Sequence, residues 1–526
     1  MRPNFIRKLV ILGALTGLAI LLVTVLFFGD HEVRDPQRAE PEIAPPSTLL
    51  TITPFEPDSL TASSLHDYLD RMADMPELRH ASWGFFAIPV FSDTVVAAHN
   101  ANMSLIPASV MKVVTTGVAL DLLGPDARFE TLLQYEGTLD TARRVLFGNI
   151  VIRGGGDPSL GSEVFGTTRR DSIIRKWVRA IRAAGIDTVY GSVIGDARAY
   201  EYDMIPAGWA WEDMQSGYCA GASGLSFNEN VYNIQVEVQK DTFRMVPDMV
   251  IPDFSLVSNL KTGKDAPGNA IWVSGSPYMN KCFVQGYVSP DSTKFGVKCQ
   301  VPDPAYLCAY TLYGALKRKG VYVRDSANTM RRLNRIGSQQ PERKTLLKIS
   351  SPPLLDLITY TNTVSQNFYA ESILKKVALE KTGFGSTVPG ADIIRSYWQR
   401  KGLDVRGFYQ VDGSGLSRFD IISPSQLARM LQAYGRDTTL FNEIYGTLPV
   451  AGRTGTLRGL CFGTRAEANV HAKSGYMSRV RSYAGYVHTR SGRLLAFAMM
   501  ANNFECTPLM MRHHFEKLMA LMAEME

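Results

Sequence analysis

An uninterrupted apolar run lies close to the N-terminus. Residues 9–29 carry no charge and are long enough to cross a bilayer as a helix, for which about 20 apolar residues are needed. Arg2, Arg7 and Lys8 precede the run and acidic residues follow it, so residues 1–8 are expected in the cytoplasm and the remainder outside it. A cleaved signal peptide is the alternative to a membrane anchor, although no A-x-A-like site follows the run. Both interpretations predict export.

The pattern then changes from a proline-rich stretch to helices and strands. Residues 30–60 contain six prolines and no periodicity, which predicts an extended tether. Residues 61–127 show a short helix pattern, two strand-like runs and then the segment 108–123. That segment is apolar almost all round and is bounded by Pro107 and Gly124, which is typical of a helix buried in a core.

Short strand patterns dominate the middle of the chain. Residues 128–334 alternate strand-like runs with Gly, Pro and Asp turns, and predict an inserted, mostly β region of one or two subdomains. Helix patterns return in residues 335–526, which close with strand patterns at 482–488 and 494–502 and a final helix at 508–522. This order predicts an α+β (mixed) fold in which the segments before and after the insertion form one core.

Composition excludes several functional classes. The 526 residues are 45% hydrophobic and 20% charged, which is ordinary for a globular chain of more than one domain. The net charge of +6 is small and the basic residues are scattered, so no nucleic-acid partner is expected. Cysteines and histidines form neither C-x-x-C nor H-E-x-x-H, so we predict no metal and no cofactor. Cys282 and Cys299 flank a turn, and outside the cytoplasm they are expected either to pair across a hairpin or to stay reduced.

A candidate nucleophile opens the buried helix, in the sequence Ser109-Val-Met-Lys112. Residues three apart on a helix lie on one face, so the Lys112 amine can reach the Ser109 hydroxyl. The helix N-terminus favours an alkoxide, and an apolar setting leaves a neutral fraction of the amine to act as a base. The same spacing recurs from Ser258 and from Ser372, so the pattern alone is weak. A capping serine beside a stray lysine is the alternative.

Two further patterns supply groups that suit the binding of a peptide. Ser365-Gln-Asn367 lies in a segment with a helix pattern, where a hydroxyl can relay a proton and an amide can orient the lysine and the peptide. Lys473-Ser-Gly475 precedes the closing strands, where a fixed positive charge and the Ser474 hydroxyl suit a terminal carboxylate. Gly475 allows a substrate backbone to approach closely. Literal copies of both patterns occur elsewhere, so neither is specific by itself.

The order of the three patterns is informative. This order resembles the signature of the penicillin-recognising serine enzymes, which is Ser-x-x-Lys on a buried helix, then Ser-x-Asn, then Lys-Ser/Thr-Gly on a strand. From roughly residue 60 to 520, the chain is similar to the D-alanyl-D-alanine carboxypeptidase/endopeptidase family of low-molecular-mass penicillin-binding proteins, class C type. It has that family's long insertion between the first two motifs. Secondary stretches resemble the family as well, at Gly155–Leu160, Asp412–Ser417 and Gly455–Leu457.

The resemblance implies a fold and a set of roles. The fold is a penicillin-binding-protein/serine β-lactamase-like transpeptidase core with a long, mostly β insertion between the first and second motifs. Ser109 is then the nucleophile, Lys112 its base and Ser365 the proton relay. The backbone N–H groups of Ser109 and Tyr476 form the implied oxyanion hole. The implied substrate-binding residues are Asn367, Lys473, Ser474 and Gly475.

The chain departs from the family's pattern at three positions. Gln366 replaces a frequent Asp, Ser474 replaces Thr, and Tyr476 replaces a small hydroxyl residue. None of these changes removes a reacting group, and the Tyr476 side chain bears on specificity. Glu371, on the helix of the second motif, is interpreted as structural.

The resemblance also implies partners and a location. The expected activity is a serine-type D-Ala-D-Ala carboxypeptidase, with endopeptidase activity as an extension. Its substrates are peptidoglycan peptides ending in D-Ala-D-Ala, and β-lactams are its inhibitors. The expected location is the cell envelope, at the periplasmic face of the inner membrane, either anchored through residues 9–29 or secreted. Two alternatives remain: a β-lactamase or esterase on the same scaffold, and a wall-binding protein with decayed motifs. The oligomeric state stays open.

Overall fold

The computed structural model describes residues 64–239, 242–263, 268–339 and 341–526. The predicted cytoplasmic N-terminus, the apolar run 9–29 and the predicted tether therefore lie outside the described residues. Among the helices that the structure describes, none is both long and apolar enough to span a membrane.

Ten α-helices and eighteen strands occur in the described residues. Helices α1 to α10 are, in chain order, Leu65–Asp74, Met111–Leu123, Arg170–Ala183, Pro304–Arg318, Leu354–Val364, Asn367–Thr382, Thr387–Arg400, Pro424–Arg436, Thr438–Thr447 and Pro508–Glu524. Strands β1 to β18 are, in chain order, Ser82–Pro89, Ala97–His99, Glu130–Asp140, Val145–Arg153, Thr188–Val189, Val193–Asp196, Val231–Gln239, Thr242–Pro247, Ser255–Thr262, Ala270–Ser274, Lys281–Val288, Lys294–Gln300, Tyr322–Val323, Asn328–Thr329, Arg343–Ser350, His471–Met477, Val480–His488 and Leu494–Asn502.

A five-stranded antiparallel sheet forms the centre of the core, in the order β16-β17-β18-β1-β2. Its strands carry apolar residues on both faces. On β1, Trp83, Phe85 and Ala87 pack with α1 and α10, whereas Phe86 and Ile88 pack with α2 and α8. Burial of both faces produces a layered core of helix, sheet and helix. The predicted closing strands and final helix are confirmed as β17, β18 and α10.

The predicted buried helix is α2, with one difference at its start. Residues Ala108–Val110 form a 3-10 turn, and the α-helix begins at Met111. The difference arises because Ala108 has a positive φ, which an α-helix does not allow. The helix ends at Gly124, whose φ of +83° is easily adopted only by glycine.

The middle of the chain forms three further sheets. One has seven strands, in the order β13-β5-β4-β3-β15, with β6 paired to β4 and to β14. Two three-stranded sheets have the orders β10-β11-β9 and β12-β7-β8. Glu130 at the start of β3 pairs with Ser350 at the end of β15. The chain therefore leaves the core and returns to it at neighbouring positions, and the seven-stranded sheet continues beyond residue 334.

The prediction of a hairpin disulfide between Cys282 and Cys299 is wrong. Cys282 lies on β11, which pairs with β9 and β10, whereas Cys299 lies on β12, which pairs with β7. The turn between them joins strands of different sheets, so the two residues are not cross-strand neighbours. All six cysteines are free thiols, and burial raises the pKa of Cys282 to about 12.

Candidate active site

A strained turn presents Ser109 at the start of α2. Ala108 has a φ of +49°, a left-handed conformation that is unfavourable for a residue with a Cβ. Ser482, on β17, donates a hydrogen bond of 2.5 Å to the Pro107 carbonyl and ties the turn to the central sheet. The Ser109 hydroxyl is thereby fixed at the N-terminal end of a buried helix, where the backbone dipoles favour a developing alkoxide.

Lys112 lies one helical turn beyond Ser109 and is fully buried. Its Nζ is 2.8 Å from Ser109 Oγ, 2.6 Å from Asn367 Oδ1 and 2.7 Å from the Ser414 carbonyl oxygen. In the neutral amine, two N–H groups can be donated to the amide and carbonyl oxygens, which directs the lone pair toward the Ser109 hydroxyl. This is the geometry of a nucleophile beside its general base.

A junction between two helices positions Ser365 and Asn367. Ser365 ends α5 with a φ of +63°, and Asn367 begins α6, so the pattern lies across a helix break rather than within one helix. Asn367 Nδ2 donates to the Tyr218 carbonyl at 2.9 Å, which directs Oδ1 toward Lys112. Tyr218 belongs to the middle region of the chain and contributes through its backbone, so no sequence pattern marks it.

Lys473 lies on the edge strand β16 and is also fully buried. Its Nζ donates to Ser365 Oγ at 2.8 Å and to the Ser474 carbonyl at 2.7 Å. Burial, and secondarily the charge of Lys112, holds the pKa of Lys473 well below its usual value. Ser474 Oγ donates to Thr456 Oγ1 at 2.7 Å, which brings to the site a hydroxyl from Gly455–Leu457, one of the stretches that resemble the family.

Gly475 allows β16 to lie directly against the Ser109 turn. A Cβ at this position would be 2.6 Å from the Pro107 carbonyl oxygen and 3.0 Å from Ser109 N. Ala472 N–H donates outward to the Pro449 carbonyl rather than to β17. Backbone groups alternate in direction along a strand, so the N–H of Tyr476, four residues on, also points away from β17.

The other Ser-x-x-Lys patterns do not bring their side chains together. Ser258 and its lysine lie on strand β9, where residues three apart face opposite sides. On α6, Ser372 Oγ donates to the Phe368 carbonyl, while Lys375 pairs with Glu201 at 3.1 Å. Among the described residues, only the pattern at Ser109 has its lysine hydrogen-bonded to its serine.

The assembled groups are four hydroxyls, two amines and one carboxamide, and they suit acyl transfer. Within the part of the chain that the structure describes, no three His, Cys, Asp or Glu side chains are grouped as metal ligands.

Comparisons with known proteins agree on one family. The model of the D-Ala-D-Ala carboxypeptidase 3 (S13) family matches residues 65–524. A D-alanyl-D-alanine carboxypeptidase of Actinomadura sp. (strain R39) is 26% identical over 472 residues, covering 87% of this chain and 85% of that protein. The D-alanyl-D-alanine carboxypeptidase DacB of Haemophilus influenzae is 24% identical over 429 residues, covering 80% and 85%.

A solved structure shows the same fold. Penicillin binding protein 4 (dacB) from Haemophilus influenzae superposes with a TM-score of 0.75 at 22% identity, covering 86% of this chain and 97% of that chain. The α+β class and the core architecture expected from the sequence are therefore confirmed.

Proposed function

The chain belongs to the D-Ala-D-Ala carboxypeptidase 3 (S13) family, and we propose that it cleaves the terminal D-Ala-D-Ala bond of peptidoglycan peptides through an acyl-enzyme on Ser109. The family resemblance noted in the sequence is confirmed by this match. The chain is accordingly a penicillin-binding serine hydrolase. The observation that carries the assignment of the nucleophile is the 2.8 Å hydrogen bond between Lys112 Nζ and Ser109 Oγ inside a buried site.

Acylation begins with proton transfer from the Ser109 hydroxyl to the neutral Lys112 amine. The Ser109 oxygen then forms a bond to the carbonyl carbon between the two D-alanines, and the carbonyl oxygen becomes an oxyanion. The N–H groups of Ser109 and Tyr476 are the proposed donors to that oxyanion, and one such donor is worth about 10²–10³-fold in rate. The C–N bond breaks, and the proton that Lys112 accepted passes through Ser365 to the leaving amine, which returns Lys112 to its neutral form.

The terminal carboxylate of the peptide is assigned to Lys473 and Ser474, with Thr456 behind them. Because burial holds the pKa of Lys473 well below its usual value, an incoming carboxylate favours the protonated lysine and restores its charge. Asn367 is assigned to the peptide backbone, since its amide is already oriented by the Tyr218 carbonyl. Gly475 leaves room for the substrate to approach β16.

Deacylation is the reaction of water with the Ser109 ester. Once D-alanine departs, water can reach the ester, whereas the ring remnant of a β-lactam stays in place and shields it. Long-lived penicilloyl adducts are therefore expected. We extend the proposal to an endopeptidase activity, in which the leaving amine belongs to a neighbouring cross-linked peptide.

The cell envelope is the proposed site of action, with residues 9–29 exporting the enzyme and either anchoring it in the inner membrane or being removed. Residues 30–60 are then a tether, residues 61–127 and 335–526 the catalytic core, and residues 128–334 the insertion, whose seven-stranded sheet is completed by β15 from beyond residue 334. A chain beginning at Thr61 should be soluble, folded and acylated by penicillin. Loss of folding in that truncated chain would show that the tether packs on the enzyme.

The experiment that tests the activity is intact-mass measurement after incubation with penicillin, followed by peptide mapping and a D-alanine release assay. A single adduct on the peptide carrying Ser109, together with D-alanine release from a D-Ala-D-Ala peptide, is the expected result. Rapid turnover of penicillin without D-alanine release would favour a β-lactamase. Absence of both reactions would favour a decayed wall-binding protein.

A further inference from the structure

The third hydrogen-bond partner of Lys112 is a backbone group from a distant loop. The loop 412–417 brings the Ser414 carbonyl to 2.7 Å from Lys112 Nζ, and the Gly413 carbonyl accepts a 2.8 Å bond from Thr115 one turn further along α2. A backbone carbonyl can act in this way only if something else holds its loop in place. The direction of the Lys112 lone pair thus depends on how loop 412–417 is held.

Glu371 holds this loop from the side of α6. Its Oε1 accepts hydrogen bonds from Gly413 N at 2.5 Å and Ser414 N at 3.1 Å, and its side chain is fully buried. Ser414 therefore joins Glu371 to Lys112 through its backbone, because its N–H donates to the carboxylate and its carbonyl accepts from the amine. Glu371 Oε2 is buried without a hydrogen-bond partner among the described residues.

Asp412 holds the same loop from the opposite side. Its carboxylate accepts from Ser414 N at 2.8 Å and Ser417 N at 2.7 Å, and from the Trp209 indole at 2.5 Å. Asp412 organises the loop internally, whereas Glu371 joins the loop to the helix that carries Asn367. The two carboxylates thus leave the loop little freedom to move away from Lys112.

We infer that Glu371 is a positioning residue for acylation, because it holds the Ser414 carbonyl against Lys112 Nζ and so directs the amine lone pair at Ser109. The inference rests on the proposed function, in which Lys112 is the base. Without the carbonyl, the amine can rotate and donate a hydrogen to Ser109 Oγ instead of accepting one. A misplacement of about 1 Å in such a group slows reactions by about 10²-fold.

Two substitutions of Glu371 distinguish the position of its carboxylate oxygen from its charge. Glu371→Gln keeps an oxygen at the same reach and removes the charge, whereas Glu371→Asp keeps the charge and retracts the oxygen by about one C–C bond. If Glu371 acts by position, the Gln variant should acylate within about threefold of the wild type. The Asp variant should then acylate about 10–100-fold more slowly at saturating penicillin. The dissociation constant of the non-covalent complex should change little in either variant.

Two further variants complete the test. Gly413→Ala leaves Glu371 intact, but its Cβ would lie 2.6 Å from the Ala370 carbonyl oxygen and push the loop off α6, so it should match the Asp variant. Ser372→Ala is the control, because Ser372 is equally buried on α6 and its hydroxyl, the group that the substitution removes, donates to the nearby Phe368 carbonyl. Thermal melting of each full-length variant identifies those that are folded.

Rapid-mixing acylation kinetics with a reporter penicillin provide the rates. An Asp variant that is folded and as fast as the wild type would overturn the inference, and so would a Gln variant as slow as the Asp variant. If one of these variants does not fold, a folded Gly413→Ala variant with the wild-type rate is equally decisive against it. Failure of the wild type itself to be acylated at Ser109 would instead refute the proposed function.

Discussion

Substitution of Gly475 by alanine tests the close contact between β16 and the Ser109 turn. The added Cβ would lie 2.1 Å from Ser482 Oγ, 2.6 Å from the Pro107 carbonyl oxygen and 3.0 Å from Ser109 N, against an ordinary contact of 3.4 Å or more. The Pro107 carbonyl is backbone and cannot rotate away. The turn and the strand must therefore separate by about 0.8 Å.

This separation should affect catalysis more than stability. Overpacking of this size costs about 1–3 kcal/mol of folding free energy, which a domain of typical stability tolerates. Moving Ser109 N relative to β16 by nearly 1 Å displaces the nucleophile from the proposed oxyanion donors, and should slow acylation by about 10²-fold. The melting temperature should fall by about 2–12 °C, at about 2–4 °C per kcal/mol.

The assay is the acylation rate by a reporter penicillin, measured beside a thermal melt. Gly446→Ala is the matched control, since Gly446 lies in α9 and a Cβ there has no atom within 4 Å. That control should acylate at the wild-type rate and be as stable or slightly more so. A folded Gly475→Ala enzyme that acylates as fast as the control would refute the reasoning.

Three further outcomes are expected. Ser109→Ala should abolish covalent penicillin labelling, and Ser372→Ala should preserve it, as measured by intact mass. Labelling of the Ser109→Ala variant would exclude Ser109 as the nucleophile. Because the pKa of Lys473 lies well below its usual value, the lysine should lose its charge, and its attraction for a carboxylate, below pH 10.5. KM for peptides with a free terminal carboxylate should therefore rise with pH in that range, whereas KM for an amidated peptide should not. Equal pH profiles for the two peptides would contradict the assignment. Burial raises the pKa of Asp157 from 3.8 to about 6, so the folded chain binds this proton more tightly than the unfolded chain. The free energy of unfolding should therefore decrease as the pH rises from about 4 to about 6, by an amount on the order of 3 kcal/mol. Denaturant unfolding across that range measures this decrease, which should be absent in Asp157→Asn.

Continuous apolar runs were sufficient to predict these elements of the core. The buried segment over 108–123 and the strands at 482–488 and 494–502 are recognisable from the chain alone, because each is a nearly continuous run of buried residues. The candidate residues Ser109 and Lys112 were predictable as well, since three residues on a helix is a local distance. These helices, strands and the Ser109–Lys112 pair are determined by residues that lie close together in the sequence.

The partners of those residues were decided by the tertiary structure. Lys112 is oriented by Asn367 and by the carbonyl of Ser414, and Asn367 is oriented in turn by the carbonyl of Tyr218. Backbone carbonyls have no residue-specific signature, so no pattern in the sequence could identify them. Glu371 was interpreted as structural, but the loop whose N–H groups it accepts was not evident from the sequence.

Tertiary structure also decided which of several equivalent patterns is assembled. Ser372 repeats the spacing found at Ser109, yet its lysine is turned toward Glu201 by the packing of α6 against the middle region. Cys282 and Cys299 flank a turn that resembled a hairpin, but their strands pair in different sheets. Strand pairing and side-chain direction depend on contacts between residues far apart in the chain. They are therefore determined only when the complete fold forms.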